Sequence, residues 1–420
     1  MNIAIIGAGI AGLASAWLLD AEHRITLFER NDYLGGHART VHFEHQGKKA
    51  YANPAFGYIA PRMYPHFIRL LDLLNVQRQP SPTSVTVHSS SSIEPLFITP
   101  TLSPLRLAPV VIPKHLSRLL AVQRLTSAAR SLDDHDDWNT SLEEFIEAQP
   151  LSAFMKHQLL YPWMAALSGL PISETKRFSA RAALKYPVHV QPESVLRPFE
   201  LQELIGGVAA YVQPLINSLR NTTIRSSVDL QPLHKQDDQF VLTDSAGNTE
   251  YFDQVILAAP AFEALKLVGD LPDPDRLSSI LRRFPYAQTR IVVHSDPRLM
   301  PARRADWSVY NALYDGGDTC EGTIWSQRSG EIDYFKSWLT FNPITPRDVH
   351  AEFHFHHPFM TPDYYRAQVD LAARQGQGNL WFAGSYTLDV DSHESGIRSA
   401  MALAKRLSPQ SANLARIENR

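Results

Sequence analysis

Apolar positions near the N-terminus fall into the pattern of a strand, a helix and a second strand. Ile3 to Ile6 is a short unbroken apolar run, as expected of a strand buried on both faces of a parallel sheet. Gly7, Gly9 and Gly12 follow at G-x-G-x-x-G spacing, a helix of small and apolar residues opens there, and Ile25 to Phe28 forms the second strand. The three glycines serve different ends. Gly7 makes the tight turn, Gly9 lets backbone approach a pyrophosphate, and Gly12 lets the helix pack close to the strand. The first N–H groups of the helix, around Ile10 and Ala11, and its positive dipole end point at the phosphates. Glu29 ends the second strand, about 20 residues on, where a carboxylate accepts from a ribose 2′-OH and repels a 2′-phosphate. Arg30 adjoins it and is counted with the same set. A glycine-rich turn without a ligand has no need of this whole order of strand, glycines, helix, strand and acid, so the segment reads as dinucleotide-binding.

Farther along, the pattern changes. Val41 to Tyr51 reads as a hairpin around Gln46-Gly47, followed by a helix near Tyr64 to Leu74. Gln77 to Pro104 alternates Ser and Thr with Val and Ile, giving short strands of a second domain. Leu105 to Leu132 has Leu, Val and Ala at helical spacing, interleaved with Arg106, Lys114, Arg118, Arg124 and Arg130. Such a stretch suits a membrane surface or a helix with a solvated basic face, and the overall charge favours the second. Asp133 to Asp137 reads as a solvated loop. Thr140 or Ser141 caps a helix, and helices continue to about Tyr186, broken near Pro162 and Pro171, as a helical cap. A helix over Val208 to Leu219, a strand over Ile224 to Val228, a hairpin of Phe240–Thr243 with Thr249–Phe252 and a buried strand over Asp253 to Pro260 come next. Thr289 to His294 is a strand, Asn379 to Tyr386 is the last one, and a helix then runs to Leu407. The tail beyond Ser408 reads as loosely ordered.

Length makes two domains the expectation for these 420 residues. The formal net charge of −3 gives no pull toward nucleic acid or anionic membrane. Cys320 is the only cysteine, which excludes an internal disulfide and fits a reducing compartment. The apolar N-terminus lacks a basic leader and carries the glycine fingerprint, so it is not read as a signal peptide. No apolar run of about 18 residues exists, so no membrane span is expected, and the reading is a soluble, cytoplasmic protein. His350, His354 and His356 would share one face of a strand. No Cys or acid completes a ligand spacing with them, and no metal is assigned.

Leu34-Gly35-Gly36-His37-Ala38-Arg39-Thr40 resembles the second glycine pair of the flavin-dependent amine oxidase superfamily, which includes protoporphyrinogen oxidase-like and carotenoid desaturase-like enzymes. The resemblance implies non-covalent FAD rather than NAD. Most members carry Arg straight after the glycine pair; this chain has His37, with Arg39 as the nearest replacement cation or a solvated loop charge. Ala52 to Ile59 stands where members pass beside the isoalloxazine, with Asn53 and Ala55 in place of Asp and Gly, and Phe56, Gly57 and Tyr58 as flavin-facing candidates or simple core. Gly206-Gly207 resembles the pair before the adenine-contacting strand, which carries the adenine contact onto Val228. The small residues around Ala258 resemble the strand that closes the cofactor domain. Asn379 to Tyr386, with His393 to Ala400 opening the helix that follows, resembles the C-terminal FAD signature, implying Gly384 and Ser385 near the ribityl and pyrophosphate, and Gly396, Ile397 and Ser399 at a helix N-terminus under the flavin carbonyl edge. Many members have an acid where Ser385 stands. The basic-Trp segment near Trp307, Phe341-Asn342-Pro343 and His357-Pro358 resemble a bacterial subgroup of predicted FAD-binding amine oxidoreductases.

The expected fold is therefore α/β: a discontinuous Rossmann-like FAD-binding domain (1–76, 197–262, 375–410) with an α+β substrate domain (77–196, 263–374) of amine oxidase or p-hydroxybenzoate hydroxylase-like architecture, and a flexible tail (411–420). The implied activity is hydride removal from a C–N or C–C bond of a small or lipid-like molecule, with dioxygen or another acceptor reoxidising the flavin. A redox-neutral double-bond isomerase and an FAD-binding protein with lost catalysis are the alternatives. Lys336, Tyr310, Trp325, Arg328 and Tyr386 are pocket candidates that read equally well as structural, Lys336 as a surface lysine. No catalytic residue is assigned.

Overall fold

The computed structural model describes all residues except 102–111, 193, 195, 272, 327–331 and 420. Its centre is a five-stranded parallel sheet in the order Leu380–Phe382, Gln254–Leu257, Asn2–Ile6, Arg24–Phe28, Thr222–Arg225. The apolar run seen in the sequence occupies the middle position, where both faces are covered. Helix Ile10–Leu19 packs on this sheet and against helix His393–Leu407, so the first and last elements of the cofactor half touch.

A second sheet has seven strands in the order Val349–Pro358, Tyr286–His294, Tyr334–Trp338, Cys320–Ser326, Tyr310–Tyr314, Val85–Ser89, Phe97–Ile98. All its pairings are antiparallel except that of Tyr310–Tyr314 with Val85–Ser89. On its first excursion from the parallel sheet the chain leaves and returns through one short ladder, Arg78–Pro80 on Gln202–Leu204. Helices between Pro113 and Val190 cover the second sheet; Tyr310 donates its hydroxyl to the carbonyl of Ala166, 2.7 Å away. Ser141 closes the expected capping box with Glu144.

Several expectations need correction. The tail is not loose: Ala412–Glu418 is a helix, capped by Ser411, with Leu414 and Ile417 buried against the first helix, and Asn413 and Ser411 bonded to the carbonyls of Trp17 and Leu18. Two apolar residues three apart suffice to dock one turn when a prepared surface awaits them. Pro162 does not break the helical run; it lies in the first turn of Tyr161–Ser168, where its missing N–H costs nothing, and the chain enters from a π-helical stretch, Phe154–Leu160. The segment after Gly207 is a 3₁₀ turn, Val208–Tyr211, and then a short helix, Val212–Asn217. The next strand ends at Arg225, before Val228, because Ser227 takes a left-handed φ of 59°. The acidic run is not merely solvated: Arg181 binds both Asp133 and Asp136. The basic helix is observed from Pro113 to Asp134; its expected start near Leu105 and Arg106, like Arg328, lies outside the described residues.

Candidate cofactor and active site

The glycine turn has the geometry its spacing predicts. Gly7 sits at φ 106°, and a Cβ there would lie 2.8 Å from the carbonyl oxygen of Ala258, so the neighbouring strand forces the turn to be bare. At Gly12 a Cβ would fall 1.8 Å from the Gly7 carbonyl oxygen, which is the close helix–strand approach. Gly9 is different: a Cβ there meets nothing within 4 Å. Its open side is where a phosphate group fits. Gly36, at φ 57°, closes over Gly9 with its own Cβ direction 3.1 Å from the Gly9 Cα, and Gly35 N–H donates to the Ala8 carbonyl at 2.8 Å. The two glycine segments thus form one bare-backbone cradle.

Glu29 stands at its rim, accepting from the N–H of Ala8 at 2.8 Å and from both N–H and side chain of Asn31. An ionised carboxylate retains lone pairs for further donors, so this position fits a ribose. Val228 N–H donates to the Glu29 carbonyl at 3.0 Å, which keeps its backbone at the same rim. The Arg39 side chain makes no hydrogen bond or ion pair among the described residues. Its guanidinium lies 4.2 Å from the centre of the Tyr33 ring and 5.1 Å from that of Phe353. A cation held flat by two rings and otherwise unpaired fits an anion such as a pyrophosphate. The cradle, the acid and the cation together match a dinucleotide.

Other sequence-selected residues have structural roles. Arg30 pairs with Glu263 at 3.0 Å on the outside. Thr40 is locked in place: its hydroxyl donates to Asn53 Oδ1 and accepts from the N–H of Ala209, both at 3.0 Å, while Asn53 Oδ1 also takes the N–H of Val208. This network fixes the left-handed Gly206-Gly207 turn and gives Asn53 a reason to be there. Ile397 is 0% exposed, packed on all sides by protein, so it has no surface left to offer a ligand. The helix begins at His393, as its sequence suggests, with Ser392 as its cap. Gly396 instead lets that helix pass Ile10, whose side chain a Cβ would meet at 2.8 Å, close to Ala11. Ser399 accepts from the N–H of Gly384 at 2.9 Å and so holds the last strand's turn. Of the pocket candidates, Trp325 donates to Asp333 and Tyr386 is packed in the core beside Phe284.

The segment from Asn53 to Tyr58 lies between the cradle and the second sheet. Phe56 stacks on His393, ring centres 4.2 Å apart, with Phe67 and Tyr211 behind; Gly57 packs on Asn53. Burial pushes the His393 imidazole down to about 3, so it is neutral at physiological pH. Glu394, next to it, caps helix Pro65–Leu73 by accepting from the N–H groups of His66 and Phe67. Tyr58 and Tyr186, from the cofactor segment and the helical cap, lie within electrostatic reach of each other.

Lys336 corrects the sequence reading most. It is 6% exposed, not a surface lysine, and its Nζ donates to the carbonyl of Ala55 at 3.1 Å, beside the ring of Trp338. In register, Lys336 faces Val293, and that row continues to Ala351. Its face of the sheet therefore carries Trp338, Phe353, Phe355 and His357 as well. His37 reaches this face edge-on to Phe355, ring centres 5.2 Å apart. Burial lowers the His37 and His357 pKa values, the latter to about 4, against the opposing pull of Asp391. Lys336, His37 and His357 so converge on one wall from three separate segments, and Ala55 joins it through its carbonyl. The alternation of the strand hinted at the face; nothing in the sequence revealed its depth. The histidines of the edge strand turn to separate partners: His350 meets Ser295 and stacks on Phe43, and His354 pairs with Glu352. Among the described residues, no group of three metal-ligating side chains occurs, and no helix is long and apolar enough to cross a membrane.

A bare glycine cradle at a parallel sheet, with a buried lysine on a second, largely antiparallel sheet, is an arrangement suited to a dinucleotide-dependent oxidoreductase. The comparison with known families agrees. Residues 10–321 match the family of flavin containing amine oxidoreductases, and the chain belongs to it. Its enzymes are flavoproteins, which implies FAD as the dinucleotide and a small molecule as substrate. Solved structures share the fold at low identity. The CLA-producing fatty acid isomerase from P. acnes is 15% identical with a TM-score of 0.70, over 96% of this chain and 98% of that one. Cyclohexylamine oxidase from Brevibacterium oxydans is 16% identical with a TM-score of 0.67, over 97% and 99%. A putative protoporphyrinogen oxidase from Exiguobacterium is 14% identical with a TM-score of 0.64, over 97% and 98%.

Proposed function

We propose that this enzyme binds FAD non-covalently and oxidises a C–N or C–C bond of a small, largely apolar molecule. The observation that carries the reading is the buried Lys336 beside Ala55 and Phe56, facing the aromatic side of the second sheet. The bare glycine cradle with the helix N-terminus would hold the pyrophosphate, Arg39 would neutralise it, and Glu29 would take the adenosine ribose. Cys320 supports a non-covalent site: it lies in the core, and burial pushes its thiol well above the usual range, so no thiolate is offered. When bound, the flavin supplies the hydride acceptor and passes the electrons to a second acceptor.

The chain's own residues position and desolvate. Phe56, Trp338 and Phe355 present apolar surface that excludes water from the reacting bond. The Lys336 ammonium is the fixed positive charge at that face, held by the Ala55 carbonyl, and favours negative charge that develops beside it. His357 and His37, neutral at pH 7, add hydrogen-bonding capacity without charge. A redox-neutral isomerase would use the same wall, since an apolar face that carries a cation also suits an unsaturated carboxylate. Absorbance spectra of the purified protein test the reading. Flavin bands that bleach on anaerobic addition of an amine or an unsaturated lipid are expected. A colourless protein that cannot be reconstituted with FAD overturns it, and turnover without oxygen consumption or another acceptor selects the isomerase.

A further inference from the structure

A dinucleotide carries hydroxyl groups on both sides of its pyrophosphate. Glu29 provides an acceptor on the adenosine side, at the carboxyl end of strand Arg24–Phe28. The other side has the ribityl chain, and no acid stands at the matching turn, where the last strand ends in Gly384-Ser385. The fold brings one there from six residues downstream. Ser385 donates its hydroxyl to Asp391 Oδ1, and Asp391 accepts no other hydrogen bond among the described residues. Asp391 is half-buried and within electrostatic reach of His37 and His357, so it faces the side of the fold that carries those two histidines.

We infer that Asp391, oriented by Ser385, is the acceptor for the ribityl hydroxyls of FAD. In the sheet, the strand leading to Ser385 and the strand leading to Glu29 lie on opposite sides of Asn2–Ile6. They are three strand spacings apart, about 14 Å. The glycine turn that faces the pyrophosphate lies between them. Two carboxylates at the carboxyl edge of the sheet, one on either side of a phosphate cradle, match a ligand with a sugar or polyol on either side of its phosphates.

The loop is built to hold Asp391 in place. Asp389, two residues earlier, adopts a left-handed φ of 58°. Its carboxylate binds Lys185 of the helical cap and Arg398 of the last long helix, at 2.6 Å for the latter, while its carbonyl accepts from Gln368 at 2.9 Å. Three elements therefore fix a strained residue beside Asp391, and Ser392 starts the helix immediately after it.

This inference rests on the FAD reading, and the test separates the two. Affinities of the apoprotein for FAD and for ADP, which lacks the ribityl half, are measured by calorimetry for the native chain, Asp391→Asn and the double variant Ser385→Asp with Asp391→Ser. Losing one charge-assisted acceptor should weaken FAD about tenfold or more. ADP affinity should stay within about twofold, which also reports that the variant is folded. Moving the carboxylate to position 385 should recover most of the FAD affinity. Unchanged FAD affinity in Asp391→Asn, an equal loss for FAD and ADP, or no recovery in the double variant overturns the role of Asp391. A native chain that binds neither ligand overturns the FAD reading itself.

Discussion

Gly9 and Gly12 are three residues apart in one motif, yet alanine at each should have opposite consequences. At Gly12 the added Cβ would lie 1.8 Å from the Gly7 carbonyl oxygen, where ordinary contact begins at 3.4 Å. Strand, turn and helix cannot all stay in place, and the cost reaches the upper end of overpacking, about 3 kcal/mol. At Gly9 the Cβ meets nothing within 4 Å, and the backbone, at φ −72° and ψ −175°, is one that alanine adopts freely. Alanine is a poorer helix cap than glycine by a few tenths of a kcal/mol to about 1 kcal/mol, and its stiffer unfolded chain offsets a similar amount. Apo Gly9→Ala should therefore melt within about 2 °C of the native chain. With FAD the ranking changes, because the Gly9 Cβ occupies the approach of the pyrophosphate. A steric cost of about 3 kcal/mol there is about 100-fold in Kd. Differential scanning fluorimetry of the apoproteins and FAD titration of each provide both numbers. Gly12→Ala should lose several degrees, Gly9→Ala almost none, and Gly9→Ala should bind FAD poorly. A Gly9→Ala protein that binds FAD like the native chain would refute the placement of the pyrophosphate at this turn.

Lys336→Met replaces a buried ammonium by an apolar chain of similar length, so stability should hold while flavin reduction by substrate, followed by anaerobic stopped flow, slows about 100-fold. An unchanged rate would remove Lys336 from the reacting face. Deleting residues 411–420 removes Leu414 and Ile417 from the surface of the first helix; two buried side chains correspond to about 3 kcal/mol or more, read as a lower melting temperature. A truncated chain with native stability would mean that the terminal helix is only laid on the fold. Acid should destabilise the protein through its buried imidazoles. His294 accepts the N–H of Asp296 at Nδ1 and faces the Ser337 hydroxyl at Nε2, and burial lowers its pKa to about 4. Between that value and the usual 6.5 the unfolded chain binds a proton that the folded chain does not. Stability thus falls as pH drops from 6.5 to 4, by up to about 1.4 kcal/mol per pH unit for each such group, and a flat melting profile from pH 7 to 5 would contradict this.

Residues differ in how far the sequence reveals their part, and the difference follows the range of the forces that place them. Gly7, Gly12 and Glu29 act within one strand–turn–helix unit, so spacing alone carries their geometry. The capping box at Ser141 and Glu144 is local in the same way. Thr40, Asn53 and Lys336 are set by partners far along the chain: Ala209, Val208 and Ala55 respectively. No window of sequence contains those pairs. A lysine on a strand reads as surface because the cost of burying an ammonium makes that the usual outcome. Here a carbonyl and the face of Trp338 meet the charge inside. Ile397 and Ser399 turn toward protein: one is buried in the core and the other holds the N–H of Gly384. Their motif was legible, but a motif says which segment approaches a cofactor and not which of its side chains turn toward it; in a helix, side chains three or four apart share a face and their neighbours do not. The same reasoning applies at Ser385, where many members carry an acid. A carboxylate need only reach the right point in space, and the loop from Gly384 to Ser392, pinned at Asp389, brings Asp391 there by a route that position-by-position comparison does not follow.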